Sequence, residues 1–137
     1  MNANGVFRRF LWASIAVLLS ALLWFAYGII SVVHELNSAA AYLESLGAEV
    51  NGIFWAPKYI YFGHETDDAT MELAQPSLTK LWTVDEVHLT DTQITDHGLA
   101  NLSVMHNLRR VVLTRTAVTD QGIEDLSGRF PNAEIAR

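Results

Sequence analysis

Five histidines, His34, His64, His88, His97 and His106, are the side chains in this sequence best suited to holding a metal. Two imidazoles four residues apart on a helix would share one face and could grip zinc; no pair here has that spacing, and no H-E-x-x-H pattern occurs. The densest group of possible ligands is "HETDD", His64 to Asp68, which also reads as a polar turn leading into a capped helix. Serine, histidine and aspartate are all present, but no G-x-S-x-G elbow exposes a nucleophile and no G-x-x-x-x-G-K-[ST] loop cradles a phosphate. There is no cysteine, hence no thiolate nucleophile, no thiolate metal site and no disulfide. The expectation is a non-catalytic chain with no catalytic residues, no metal site and no cofactor.

What must position any functional surface is a 137-residue chain, half of it apolar, with room for one small domain and one extra element. The extra element runs from Phe10 to Val33, "FLWASIAVLLSALLWFAYGIISVV", without a charged residue, Asn, Gln or Pro. As a helix these 24 residues span about 36 Å, enough to cross a hydrocarbon layer of about 30 Å with some tilt. A cleaved secretory signal is the competing reading, because "SAAAY" (Ser38 to Tyr42) contains an Ala-x-Ala pattern. The apolar run is longer than the ~7 to 15 residues of such a signal, which favours an uncleaved anchor.

Arg8 and Arg9 precede the run, and no Lys or Arg follows it until Lys58. Positive charge stays on the cytoplasmic side, so a single-pass protein is expected, its N-terminus cytoplasmic and the rest on the far side. The part after Val33 holds all 15 acidic residues and seven of the nine basic ones. An acidic domain of this kind is a poor partner for nucleic acid or anionic lipid.

The rest of the chain repeats itself. Residues 85–103 laid over residues 109–127 agree at nine of 19 positions: Val87/Val111, Leu89/Leu113, Thr90/Thr114, Thr92/Thr116, Thr95/Thr119, Asp96/Asp120, Gly98/Gly122, Leu102/Leu126 and Ser103/Ser127. Each copy starts with alternating apolar and polar residues, as a strand does. It ends with apolar residues three apart, Leu99, Leu102 and Met105, as one face of a helix does. Thr95 or Asp96, and Thr119 or Asp120, can cap the helix start; the sequence leaves the choice open. Gly98 and Gly122 fall in the first turn, where a close neighbour would exclude a side chain. Each copy is therefore one strand and one helix that must stack on another copy to bury its strand.

The frame V-x-L-T-x-T-x-[IV]-T-D-x-G-[LI]-x-x-L-S resembles the leucine-rich repeat of the cysteine-containing-like subtype, with Thr92 and Thr116 at the usual Cys or Asn position. The resemblance implies an α/β fold: a short ribonuclease-inhibitor-like solenoid of right-handed β-α coils with a parallel sheet, preceded by one N-terminal transmembrane helix. It also implies that Thr92 and Thr116 hydrogen-bond the backbone between coils. "FPNAEI" (Phe130 to Ile135) looks like a final coil of short bacterial members, and "AAAYLESLGAEV" (Ala39 to Val50) like their lead-in. "TDDATMEL" (Thr66 to Leu73) looks like a decayed copy, with Thr66 and Asp67 matched to Thr119 and Asp120, Leu73 matched to Leu126, and an insertion near Ala74 to Leu78 looping out. Three coils are expected, with strands near Tyr59 to Phe62, Asp85 to Leu89, Arg109 to Leu113 and Glu134 to Ala136. The domain plan is 1–9 cytoplasmic, 10–33 transmembrane, 34–62 a capping helix with a strand or hairpin near Val50 to Trp55, and 63–137 the coils with a C-terminal cap. Phe54, Trp55, Tyr59, Tyr61 and Phe62 are assigned to closing the first coil, with contact to the bilayer surface as the other reading.

On the strands, the residues alternating with inward Val and Leu face the inner curve: Glu86, His88 and Thr90 in one copy, Arg110, Val112 and Thr114 in the next. Glu86 beside Arg110 reads as a surface pair worth under about 1 kcal/mol. Val112 beside His88 is an apolar residue where strand alternation calls for a polar one. The resemblance implies a protein-interaction role for this patch, with a protein partner, the bilayer along Phe10 to Val33, and self-association into an oligomer as a route to avidity. The alternative is a structural subunit of a membrane complex, assembling through a helix that spaces Ser14, Ala21 and Gly28 seven apart.

Overall fold

The computed structural model describes residues 3–53 and 56–137, so Phe54 and Trp55 of the aromatic group lie outside the described residues. The chain divides between His34 and Glu35 into two units. Helix α1, Ala3–Ser45, begins in the first unit and ends in the second. From Trp12 it is long and apolar enough to cross a membrane, with a mean hydropathy of 2.3 over its most apolar window. A helix suits that environment because its backbone groups bond one another, and Ser20 follows the same logic, donating its hydroxyl to Val17 O at 2.8 Å.

The second unit is mixed α/β. Leu36, Ala39 and Leu43, spaced three and four apart, are buried in its core. The helix stops at Gly47, whose φ of 87° is the left-handed conformation that glycine adopts without penalty. Strand β1, Ala48–Ile53, then pairs antiparallel with β2, Ala56–Phe62, with an irregular register after Asn51. Gly52 is obligatory there, since a Cβ would lie 2.1 Å from Ala56 O.

From β2 onward the sheet is parallel and runs in sequence order through β3 (Glu86–His88), β4 (Arg110–Val112) and β5 (Glu134–Ala136). Helices α2 (Asp68–Lys80), α3 (Asp96–Ala100, continued by a 3₁₀ turn Asn101–Val104) and α4 (Asp120–Arg129) make the crossovers. The register carries Ile60 onto Val87, Val111 and Ile135, and the first three are fully buried. Phe62, Leu89 and Leu113 form the next buried row, and Met71, Leu99 and Leu102 bury the helical side. Each such side chain contributes about 1.5–3 kcal/mol on leaving water.

The helix starts are wired together across copies. Thr95 and Thr119 are the caps, taking His97 N–H at 3.2 Å and Gly122 N–H at 3.3 Å, and Asp67 caps α2 by accepting from Thr70 N at 2.8 Å. The next residue in each case reaches onward. Asp68 accepts from Thr95 N (2.8 Å), Thr95 Oγ1 (2.6 Å) and Gly98 N (3.0 Å); Asp96 accepts from Thr119 N (2.8 Å) and Thr119 Oγ1 (2.6 Å). The glycines make room for these carboxylates, because a Cβ on Gly98 would lie 2.3 Å from Asp68 Oδ1 and one on Gly122 2.2 Å from Asp96 Oδ1. At the third rung the guanidinium of Arg137 takes the carboxylate of Asp120 and donates to Val118 O at 3.3 Å. Thr66 O and Ile94 O, at the equivalent places, accept Gln93 N and Ala117 N of the following copy. Arg137 thus engages both of these acceptors in the copy that carries Val118 and Asp120.

This wiring fixes the acid–base state of the aspartates. Burial opposes ionisation of Asp68, yet the three hydrogen bonds from Thr95 and Gly98 together hold its carboxyl below the ordinary range. The Thr119 hydroxyl and N–H lower Asp96, and Thr70 lowers Asp67. Asp91 is lowered by the guanidinium of Arg115, whose own value rises in return.

Three expectations need correction. The first copy is in a different phase: Asp67 stands where Thr95 and Thr119 stand, Asp68 matches Asp96 and Asp120, and Thr66, 2% exposed, takes the place of Ile94. Ala74 rather than Leu73 then meets the core, and Leu73 is 55% exposed. Second, Ala74 to Leu78 does not loop out. It lies within α2, which runs for 13 residues through Pro76. Third, the Thr92 and Thr116 hydroxyls donate to Leu89 O (2.7 Å) and Leu113 O (2.9 Å) of their own copies, closing the turn after each strand rather than linking neighbours.

Candidate functional site

The helices cover one face of the sheet, and the opposite face carries the residues singled out for recognition. Alternation decides this: Val87 and Leu89 point into the core, so Glu86, His88 and Thr90 point away, as Arg110, Val112 and Thr114 do around Val111 and Leu113. In register, Glu86 lies beside Arg110 and His88 beside Val112. Thr90 and Thr114 follow the strands and are half-buried, and Thr114 O accepts Asp91 N at 3.0 Å.

The same register adds residues that the sequence reading placed elsewhere. Tyr59 and Tyr61 alternate with buried Ile60 and Phe62 and pair with Glu86 and His88. Glu134 lies beside Arg110, and on the hairpin Asn51 and Glu49 lie beside Tyr59 and Tyr61. Two rows cross the sheet as a result. One reads Asn51, Tyr59, Glu86, Arg110, Glu134; the other reads Glu49, Tyr61, His88, Val112, Ala136. Four strand spacings of ~4.8 Å make each row about 19 Å long.

Side chains within the rows hold one another. The rings of Tyr61 and His88 stack with centroids 4.2 Å apart and planes inclined by 18°. His88 Nε2 lies 2.8 Å from Glu86 Oε1, and Arg110 bridges Glu86 at 3.7 Å and Glu134 at 3.9 Å. Glu86 and His88 are only 19% and 22% exposed in their side chains, whereas Tyr61 is 41% exposed. The centre of the face is thus a held aromatic platform beside an apolar Val112, rimmed by compensated charges.

Against protein-family models, curated proteins and solved structures the chain finds no match.

The other places offer less. His64 and Glu65 of the "HETDD" group pair with each other at 3.1 Å on the surface, while Asp67 and Asp68 are engaged at helix starts. Among the described residues no three metal-ligating side chains converge. A groove of about 200 Å³ between α3 and α4, lined by Leu99, Ala100, Leu126 and Arg129 among others, is below the ~300 Å³ at which small-molecule pockets begin. Tyr61 had one usable signal in the sequence, its alternation with Ile60 and Phe62; Glu49 had none, because its place depends on the hairpin register.

Proposed function

We propose that the chain is a membrane-tethered leucine-rich-repeat module that binds a protein partner and performs no catalysis. In this reading residues 35–137 form a short right-handed solenoid of the ribonuclease-inhibitor-like kind, held by the apolar stretch of α1. Support comes from the tandem frame, from parallel strands that pair at a 24-residue offset, and from the carboxylate-to-threonine bonds joining successive copies. The observation that carries the binding role is the uncovered sheet face, where Tyr61, His88 and Val112 form an aromatic and apolar row beside Glu86 and Arg110. Tyrosine anchors of this kind, fixed by neighbours, are where interface energy concentrates.

Arg8 and Arg9 set the orientation, with the module on the non-cytoplasmic side. A reporter fused after Arg137 should be active only on that side; activity in the cytoplasm contradicts it. The face is smaller than a typical stable interface, which favours weak binding strengthened by several anchored copies. The test is affinity capture from native membranes with the parent and with His88→Glu/Val112→Glu. A companion recovered by the parent and lost from the folded double variant supports the reading. Equal recovery moves the interface to the membrane helix, the alternative of a structural subunit.

A further inference from the structure

Two tyrosines sit side by side on β2, and their surroundings differ in one respect. At Tyr59 the chain supplies its own cation: Lys58 Nζ lies 5.6 Å from the ring centroid, with the Asp85 carboxylate 3.8 Å from the same nitrogen. Ring, cation and carboxylate form a complete set. At Tyr61 the ring and a carboxylate are both in place. His88 covers one face of the ring at 4.2 Å, a distance shorter than the strand spacing, so the ring planes face along the row of neighbouring strands. On the β1 side Tyr61 pairs directly with Glu49, and Tyr61 is 41% exposed. Glu49 is held by Asn51, whose Nδ2 donates to Oε1 at 2.8 Å. Among the described residues no lysine or arginine lies over Tyr61.

We propose that Tyr61 and Glu49 form the acceptor for a lysine or arginine side chain of the protein partner, seated against the uncovered ring face with its charge on Glu49. The inference rests on the sheet face being the binding surface and specifies the chemistry of what it binds. Charge supports a cationic occupant: residues 35–137 contain 15 acidic and seven basic residues, a formal charge of −8. Arg110 is already shared between Glu86 and Glu134, which leaves Glu49 as the carboxylate of these rows that, among the described residues, faces no cation. A partner cation gains ring attraction and ion pairing at once, and the stacked His88 fixes the ring beforehand.

The full chain, with ¹³C-labelled tyrosine rings and in a detergent without a choline headgroup, is titrated with acetyl-Gly-Arg-Gly-amide. The matched citrulline peptide, neutral and nearly the same shape, is the control. The proposal expects Tyr61 resonances to move saturably with the arginine peptide and not with citrulline, while Tyr59, with Lys58 in place, stays still. Glu49→Gln should raise the half-saturation concentration about threefold. Equal responses to both peptides, equal movement of Tyr59 and Tyr61, or an unchanged Glu49→Gln titration overturns it. Glu49 is untouched in the capture experiment, so the two readings fail separately. Loss of the companion from His88→Glu/Val112→Glu together with a silent Tyr61 keeps the module and removes the cation site.

Discussion

Alanine at position 98 should destabilise this protein, although alanine for glycine in an unconstrained helix normally stabilises by about 0.5–1 kcal/mol. Gly98 is not in the left-handed region, so no backbone strain opposes the change. The obstacle is the 2.3 Å approach of the new Cβ to Asp68 Oδ1, with the Asp68 backbone Cα at 3.2 Å limiting the retreat. The carboxylate must swing away, and that breaks its bonds from Thr95 N and Gly98 N and weakens the one from Thr95 Oγ1. A hydrogen bond to a charged group contributes about 1.5–3 kcal/mol, and partial exposure of Asp68 reduces this to about 1–1.5 each. Losing two, less the intrinsic gain of alanine, leaves a net cost of about 2 kcal/mol. For a domain of about 100 residues that lowers the melting temperature by roughly 10 °C, read by circular dichroism of the full chain in detergent. Gly128→Ala is the control: nothing lies within 4 Å of its added Cβ, and it should be neutral or slightly stabilising. In an Asp68→Ala background Gly98→Ala should lose most of its cost, giving a coupling of about 2 kcal/mol. A Gly98→Ala protein as stable as the parent, or a cycle without coupling, would refute the claim that these carboxylates bind copy to copy.

Acid should unfold the repeats through the same groups. Asp67, Asp68, Asp91 and Asp96 have folded values below their ordinary ones, so the stability they confer is complete above about pH 5. It is lost as pH falls below about 4 and through the folded values, and Asp68→Asn/Asp96→Asn should flatten that fall in melting curves taken from pH 7 to 2.5. Leu89→Ala removes a side chain with 0% exposure and should cost about 2–5 kcal/mol in denaturant unfolding, whereas Leu73→Ala, 55% exposed, should cost under about 1. Arg137→Ala frees two acceptors, Asp120 and Val118 O; because Arg137 and Asp120 are 56% and 92% exposed, only a small loss of melting temperature is expected, accompanied by faster amide exchange in β5. A large loss of global stability would contradict a purely local role for these contacts.

Local pattern made much of this legible and left the rest dark for definite reasons. The two tandem copies share enough residues to phase each other, which located β3, β4 and the rows of Val87, Leu89, Val111 and Leu113 from spacing alone. Gly98 and Gly122 also signalled a close neighbour correctly, but not that the neighbour is a carboxylate, because Asp68 lies 30 residues away from Gly98. The first copy reads one residue out of phase when Thr66 and Asp67 are matched to Thr119 and Asp120, because its cap is Asp67 and not a threonine. The 29-residue spacing from Thr66 to Thr95 suggested a looped-out insertion near Ala74 to Leu78, whereas the longer crossover continues as helix through Pro76. On the sheet face, Glu86, His88, Arg110 and Val112 followed from alternation, while Tyr61 and Glu49 joined them only through pairing with other strands.

The central claim is that the uncovered sheet face, rather than the helical side, meets a partner. A photo-crosslinking amino acid placed at Val112 on that face, and separately at exposed Gln121 on α4, tests it in native membranes under identical illumination. The account predicts a discrete adduct from position 112, absent when Tyr61→Leu is added, and none from position 121. An adduct from position 121 alone, or one from 112 indifferent to Tyr61, would contradict it.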